Sequence, residues 1–237
     1  MNSNQTLTDI FHKNKLSKMI LNDSIKIAVY EYDKLFKEKS YSTSQLLTKD
    51  IFNNFSAFQN VIMDLEKTII FLRINFNDIL EIYPNLEDKK SYYVYHFENY
   101  FIRINTISDL VGKLGNLICK TGIDNEKCNG YNFKEAVKKE NQDVSDLVKK
   151  ILEFTKELKI IRHQKIHTGK TEIENIKDIV LWSDLAKYTK DEYDSLLDEL
   201  TESRLDIEID RIESEIKELL KLTNKYFDYL SIEYDKL

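Results

Sequence analysis

Glycine and proline are scarce in this chain, with five Gly and one Pro among 237 residues. A strand-rich fold needs a turn about every 8–12 residues, usually marked by Gly, Pro or Asn-Gly. Too few such marks are present, which excludes an all-β architecture and leaves long helices with few connections. Cysteine is scarce as well. Cys119 and Cys128 are the only two, which builds neither a disulfide framework nor a four-thiolate zinc site, and a reduced pair is expected. No window of about 18 apolar residues occurs, so no transmembrane helix is expected. The opening residues Met1-Asn2-Ser3-Asn4-Gln5 lack the basic and apolar regions of a signal peptide. A cytoplasmic protein without a membrane partner is the expectation.

What the chain does hold is apolar and charged. Hydrophobic residues make up 42%, ample for a core, and charged residues 32%, suited to long solvent-facing helix surfaces. The net charge of −6 argues against a surface that binds nucleic acid throughout, but leaves room for a local basic site. The fold class expected is all-α, an up-and-down bundle of about five main helices, some of them long.

Apolar spacing sets the expected elements. Residues 16–38 read as one helix. From about Thr43 to Tyr83 the pattern gives one very long helix or two in line, stopped by Pro84. An aromatic helix then runs from about residue 85 to Cys119, with Gly112 and Gly115 near its end, where they allow close helix approach or weaken that end. Residues 121–132 are irregular, and Asn132-Phe133-Lys134-Glu135 resembles the start of a short helix. A helix over about 142–168 ends at Thr168-Gly169. Residues 170–188 read as a connector with a helical turn around Ile176–Leu181. The capping signature Thr189-Lys190-Asp191-Glu192 opens a last long helix, about 190–234. No repeat and no boundary is evident, so a single domain over 1–237 is expected, with residues 1–40 as an N-terminal helical extension.

The segment Arg162-His163-Gln164-Lys165-Ile166-His167 concentrates nitrogen-bearing side chains in a chain with four His. Arg grips a phosphate bidentately, and His moves protons near neutral pH. Between Lys156 and Lys170 stand five Lys or Arg and one acid, Glu157, a local charge of +4 within a chain of −6. Such an asymmetry suits docking of a phosphate backbone, with Lys159, Lys165 and Lys170 as the RNA-binding candidates. On a regular helix positions 162 and 167 lie about 140° apart, whereas 163 and 167 share a face. Residues 162 and 167 therefore cooperate only if the helix end opens or a second subunit supplies the missing half.

Arg162, a polar His163, three further residues and His167, near the end of a helix in an all-α chain, resemble the Arg-polar-x3-His motif of the HEPN superfamily. The aromatic helix Tyr92–Asp109 is also similar to helices of stand-alone prokaryotic members. The resemblance implies a HEPN-like fold and metal-independent RNA cleavage, without a cofactor, at a composite site between two subunits. It implies that His167 acts as general base or acid on the ribose 2′-hydroxyl and that Arg162 stabilises charge on the phosphate. His163 would orient the pair or contact the backbone. One HEPN group, partnered with nucleotidyltransferase antitoxins, carries a Tyr two residues after the His. Here that position is Gly169, so control by modification of that tyrosine is not expected.

The leading expectation is thus a homodimeric endoribonuclease, a toxin or phage-defence effector, with RNA and an antitoxin or regulatory protein as partners. Two other classes stay open: a non-catalytic HEPN-like module that binds RNA or protein, and a structural helical adaptor. An Arg and two His near a helix C-terminus can also simply cap carbonyls and complement the helix dipole. His163 and His167 stand at zinc-ligand spacing, but Gln164 replaces the Glu base of metalloprotease helices and no third ligand is evident, so no metal is assigned. Glu98 and Arg103 are supporting candidates, His96 is expected to pack within its aromatic helix, and His12 to be exposed. The charged stretch 198–221 reads as a solvated helix face.

Overall fold

A computed structural model of the chain describes residues 6–34, 40–82, 89–168, 181–182, 185 and 194–237. The side chains of residues 10, 76, 77, 89, 90, 157–168, 194, 195 and 198 lie outside that description. Eight helices and no strand occur among the described residues: α1 (Leu7–His12), α2 (Lys15–Lys34), α3 (Thr43–Arg73), α4 (Phe76–Ile82), α5 (Lys89–Cys119), α6 (Gly130–Val137), α7 (Gln142–Thr168) and α8 (Asp194–Tyr234). Five have 20 or more residues, with α8 reaching 41. The all-α bundle of about five main helices expected from the sequence is the fold.

Two details differ from the sequence reading and one alternative within it is decided. Helix α1 was not expected, because six residues are too few to show a period. It exists through a capping box in which Thr6 Oγ1 accepts from the Asp9 N–H and the Asp9 carboxylate accepts from the Thr6 N–H. The long pattern after Thr43 is two helices, parted where the Ile74 N–H turns back to the Phe71 carbonyl and Asn75 starts the next turn. The cap of α6 is Asn129, three residues earlier than expected. Its side-chain oxygen accepts from the N–H groups of Tyr131 and Asn132, leaving Asn132 inside the helix. The proposed turn around Ile176–Leu181 and the capping signature at 189–192 fall outside the described residues, apart from a helical Leu181 and Trp182.

The chain divides into two compact units, residues 1–63, 106–156 and 219–237 in the first, and 64–105 and 157–218 in the second. The first unit is built on aromatic packing. Phe11 of α1 stacks on Phe55 and Phe58 of α3 and meets Phe227 of α8 edge-on, and all four rings are fully buried. Asn14 fastens the turn after α1 by donating to the Asn224 carbonyl and to Asp228. His12, expected to be exposed, is instead half-buried and hydrogen-bonds Gln59 at 3.1 Å. The glycines of α5 serve close approach: a Cβ at Gly112 would collide with the Asn129 backbone, and one at Gly115 with Tyr226 and Phe133. Above Gly115 the buried Tyr226 hydroxyl donates to the Val111 carbonyl.

The second unit sets aromatic side chains of α5 against a stripe of branched residues on α8. Phe97, Tyr100, Phe101 and Ile104 are buried, as are Leu205, Ile209, Ile212 and Ile216, at the i, i+4, i+7 spacing of a helix core face. Arg73, at the end of α3, ties to Asp210 and Glu213 of α8.

Candidate functional site

Helix α7 carries the motif on its last two turns. It runs from Gln142 to Thr168 without a break, and its sequence holds no Gly or Pro to interrupt it. Arg162, His163 and His167 are therefore helical positions, together with Lys159 and Lys165. The side chains of these five residues lie outside the described set, and Lys170 lies outside it altogether.

Backbone geometry still has a consequence. An unbroken helix keeps positions 162 and 167 about 140° apart around its axis, and 163 and 167 about 40° apart. Opening of the helix end was one route by which a single chain could bring 162 and 167 to one face, and α7 stays helical through Thr168. The same end carries the partial negative charge of the helix dipole.

Glu98 and Arg103 both stand on α5 in the second unit, the unit that also takes in residues 157–168 of α7. Five positions apart, they too are separated by about 140° and do not act as one pair on one face. Arg103 pairs with Asp64 of α3 at 3.2 Å, an ion pair about two-thirds buried on both sides. Its Nε is a buried donor with no partner among the described residues. Lys67 approaches the same carboxylate at 3.6 Å. Asp64 escaped the sequence reading because its partner lies 39 positions away and no local spacing links them.

His96 occupies an aromatic setting, as its helix suggested. Its ring stacks on Phe71 at 5.2 Å and meets Tyr92 and Tyr95 edge-on at 4.5 and 5.2 Å. Burial pushes its pKa down to about 4, so the imidazole is neutral at physiological pH. The Tyr92 hydroxyl donates to the Phe71 carbonyl and joins α5 to α3 beside this cluster.

The stretch 198–221 corrects its sequence reading. Glu208 is buried at 3% exposure, with Arg204 and Arg211 one turn to either side of it. Arg211 continues to Glu215, which also accepts from the Tyr100 hydroxyl of α5. Burial and the Glu215 carboxylate raise the Tyr100 pKa well above the phenol range. Arg204, Glu208, Arg211 and Glu215 stand at the i, i+3, i+4 spacing of neighbouring helix side chains. Burial in this ladder is confined to Glu208, with Arg204, Arg211 and Glu215 half-buried at the edge, and local spacing does not show which carboxylate is covered.

Both cysteines are free. Burial raises the Cys119 thiol to about 12 and also raises Cys128, which makes both poor nucleophiles. Among the described residues no group of three or more His, Cys, Asp or Glu could hold a metal ion. Among those residues, too, no helix is long and apolar enough to cross a membrane.

Residues 17–237 match the model of a family described as Cthe2314-like HEPN. No curated protein and no solved structure matches the chain.

Proposed function

Since the chain belongs to the Cthe2314-like HEPN family, and so to the HEPN superfamily, we propose that it is a metal-independent endoribonuclease acting as a toxin or phage-defence effector. The observation that carries this reading is the Arg162-x4-His167 motif on the closing turns of a long helix, within a family match that spans nearly the whole chain.

In the proposed reaction His167 accepts the proton of a ribose 2′-hydroxyl, whose oxygen attacks the adjacent phosphorus. The bond from phosphorus to the 5′-oxygen breaks, a proton goes to that leaving oxygen, and the products are a 2′,3′-cyclic phosphate and a 5′-hydroxyl. Arg162 holds the phosphate and takes up charge as it develops. His163 orients the pair, and Lys159, Lys165 and Lys170 neutralise neighbouring phosphates. Glu98 and Arg103 are supporting residues, Arg103 through its tie to Asp64. Only RNA carries the internal nucleophile, so DNA is not a substrate.

The angular separation of positions 162 and 167 on an unbroken α7 supports a composite site, in which two copies of the chain each supply part of the machinery. The test is cleavage of labelled RNA by the purified chain in EDTA, with the ends of the products identified. Metal-free cleavage that leaves cyclic phosphates, and is lost in Arg162→Ala and His167→Ala, is the expected result. RNA that is bound but never cleaved by the wild-type chain would favour the non-catalytic module instead.

A further inference from the structure

The ring cluster on α3 and α5 of the second unit is half open. His96 is buried at 9% exposure, whereas Phe71 is 42% and Tyr95 61% exposed. Tyr95 meets His96 at an interplanar angle of 79°, and in an edge-to-face pair at least one face of Tyr95 is left uncovered by the imidazole. Other aromatic side chains are as open, Tyr32 among them, but Phe71 and Tyr95 differ in both resting on one buried ring. His96 stacks on Phe71, and the Tyr92 hydroxyl pins the Phe71 carbonyl.

We infer that Phe71 and Tyr95, set around His96, form a stacking platform for the bases of single-stranded RNA. This rests on RNA being the partner proposed above, and adds a subsite built from residues other than those of the Arg162–His167 motif. Three observations favour a base over other occupants. The exposed rings offer flat π-faces, which every base can use whatever its sequence. The imidazole that backs them is neutral at physiological pH, so the platform is apolar and not a phosphate contact. The area also decides against a second copy of the chain. Even with the neighbouring exposed Ile70 and Ile102, the cluster presents about two side chains' worth of surface, roughly 400 Å² at about 200 Å² for each large side chain, where a stable interface takes about 800 Å² per partner. One or two stacked bases fit that area. The turns of α7 that bear the motif belong to the same compact unit.

The test uses a fluorescent 12-mer of 2′-O-methyl oligoadenylate, which 2′-hydroxyl attack cannot cleave, and reads its Kd for the full chain by anisotropy. Tyr95→Ala is expected to weaken binding about tenfold, and Tyr95→Leu to about the same extent. Tyr95→Trp should retain binding. The ratio of wild-type to Tyr95→Ala affinity should stay constant as salt rises, because stacking releases no counterions. Phe71→Ala serves as a second variant, with circular dichroism melts checking that each variant folds. If Tyr95→Ala and Tyr95→Leu bind as wild type while the wild-type chain binds or cleaves RNA, the platform is wrong and the ribonuclease reading stands. Should Tyr95→Ala instead convert a dimer to a monomer at unchanged oligonucleotide affinity, the face is an interface between copies and the inference falls. A wild-type chain that neither binds nor cleaves RNA overturns both.

Discussion

Tyr100 of α5 donates its hydroxyl to Glu215 of α8 within the second unit, so one end of a half-buried ladder of charges closes on a neutral phenol. The same carboxylate takes Arg211, and Arg211 takes Glu208, the most buried acid of the ladder. Glu208 is the one member of the row shut off from water, so loss of its arginine partners would leave its charge uncompensated, while the half-buried arginines and Glu215 still reach solvent. Glu208→Ala should lower the folding stability by about 1–3 kcal/mol, since Arg204 loses the carboxylate it faces while Arg211 keeps Glu215. Tyr100→Phe should cost about 1–2 kcal/mol, since Glu215 keeps Arg211. Urea unfolding of each variant gives both numbers, and an effect of Glu208→Ala near zero would show that the ladder is not a stabilising contact.

His96 makes stability depend on pH in mildly acidic solution. Its folded pKa of about 4 lies below the ordinary 6.5, so the unfolded chain binds its proton first as pH falls. The contribution of the neutral imidazole is therefore fully present above about pH 6.5 and is lost as pH drops toward 4. Chemical unfolding at a series of pH values should give a midpoint that declines over this window. In His96→Phe the decline should be shallower.

Gly112 and Gly115 should resist substitution. Alanine in an exposed helix would gain about 1 kcal/mol over glycine. Here the added methyl has no room, against the Asn129 backbone in one case and the Tyr226 and Phe133 rings in the other. Gly112→Ala is expected to be net destabilising by about 1–3 kcal/mol, the usual range for overpacking, because a backbone cannot step aside as a side-chain tip can. A raised melting temperature in Gly112→Ala would contradict the observed packing.

For the proposed reaction, Arg162→Ala and His167→Ala should each lower cleavage about 10²–10⁴-fold with an unchanged melting temperature. Mixing the two inactive variants adds a sharper readout. A composite site built from residues of both copies should recover part of the activity in the mixed dimer, whereas a site within one chain should not.

The thiols should be silent in the native protein. Burial holds Cys119 near a pKa of 12 and keeps Cys128 protonated at neutral pH, so a thiol reagent at pH 8 should label neither until urea is added. Rapid native labelling of Cys128 would mean that the loop before α6 opens.

The main helices were legible because each buries a stripe at helical spacing, as from Val144 through Val148, Ile151 and Leu152 in α7, and because few turn-forming residues compete with the pattern. Helix α1 was invisible for the opposite reason. Its buried face is one i, i+4 step from Leu7 to Phe11, too short to show a period, and only contact with Phe55, Phe58 and Phe227 reveals its use. The motif at 162–167 was readable as residue types in order. Its geometry was not, since a sequence shows neither where a helix end opens nor what a second chain would bring. Asp64 facing Arg103 and Glu215 facing Tyr100 lay beyond reach as well, because pairs 39 and 115 positions apart leave no trace in local spacing.

The cap at Asn129 also governs how the protein ages. An Asn followed by Gly loses its side-chain amide readily, because the next backbone nitrogen can attack the side-chain carbonyl without hindrance. Asn129 precedes Gly130, but its side-chain oxygen is held by two N–H groups at the head of α6. Attack requires it to leave them, so the folded state shelters the amide and chemical damage begins in the unfolded fraction. Deamidation to Asp would still cap the helix. The isomer with its extra backbone carbon would not, since the chain passes against α5 there with no room for even one methyl at Gly130. Intact mass followed over storage, folded and in urea, should show the change chiefly in urea, which makes shelf life a report on native-state opening at this turn.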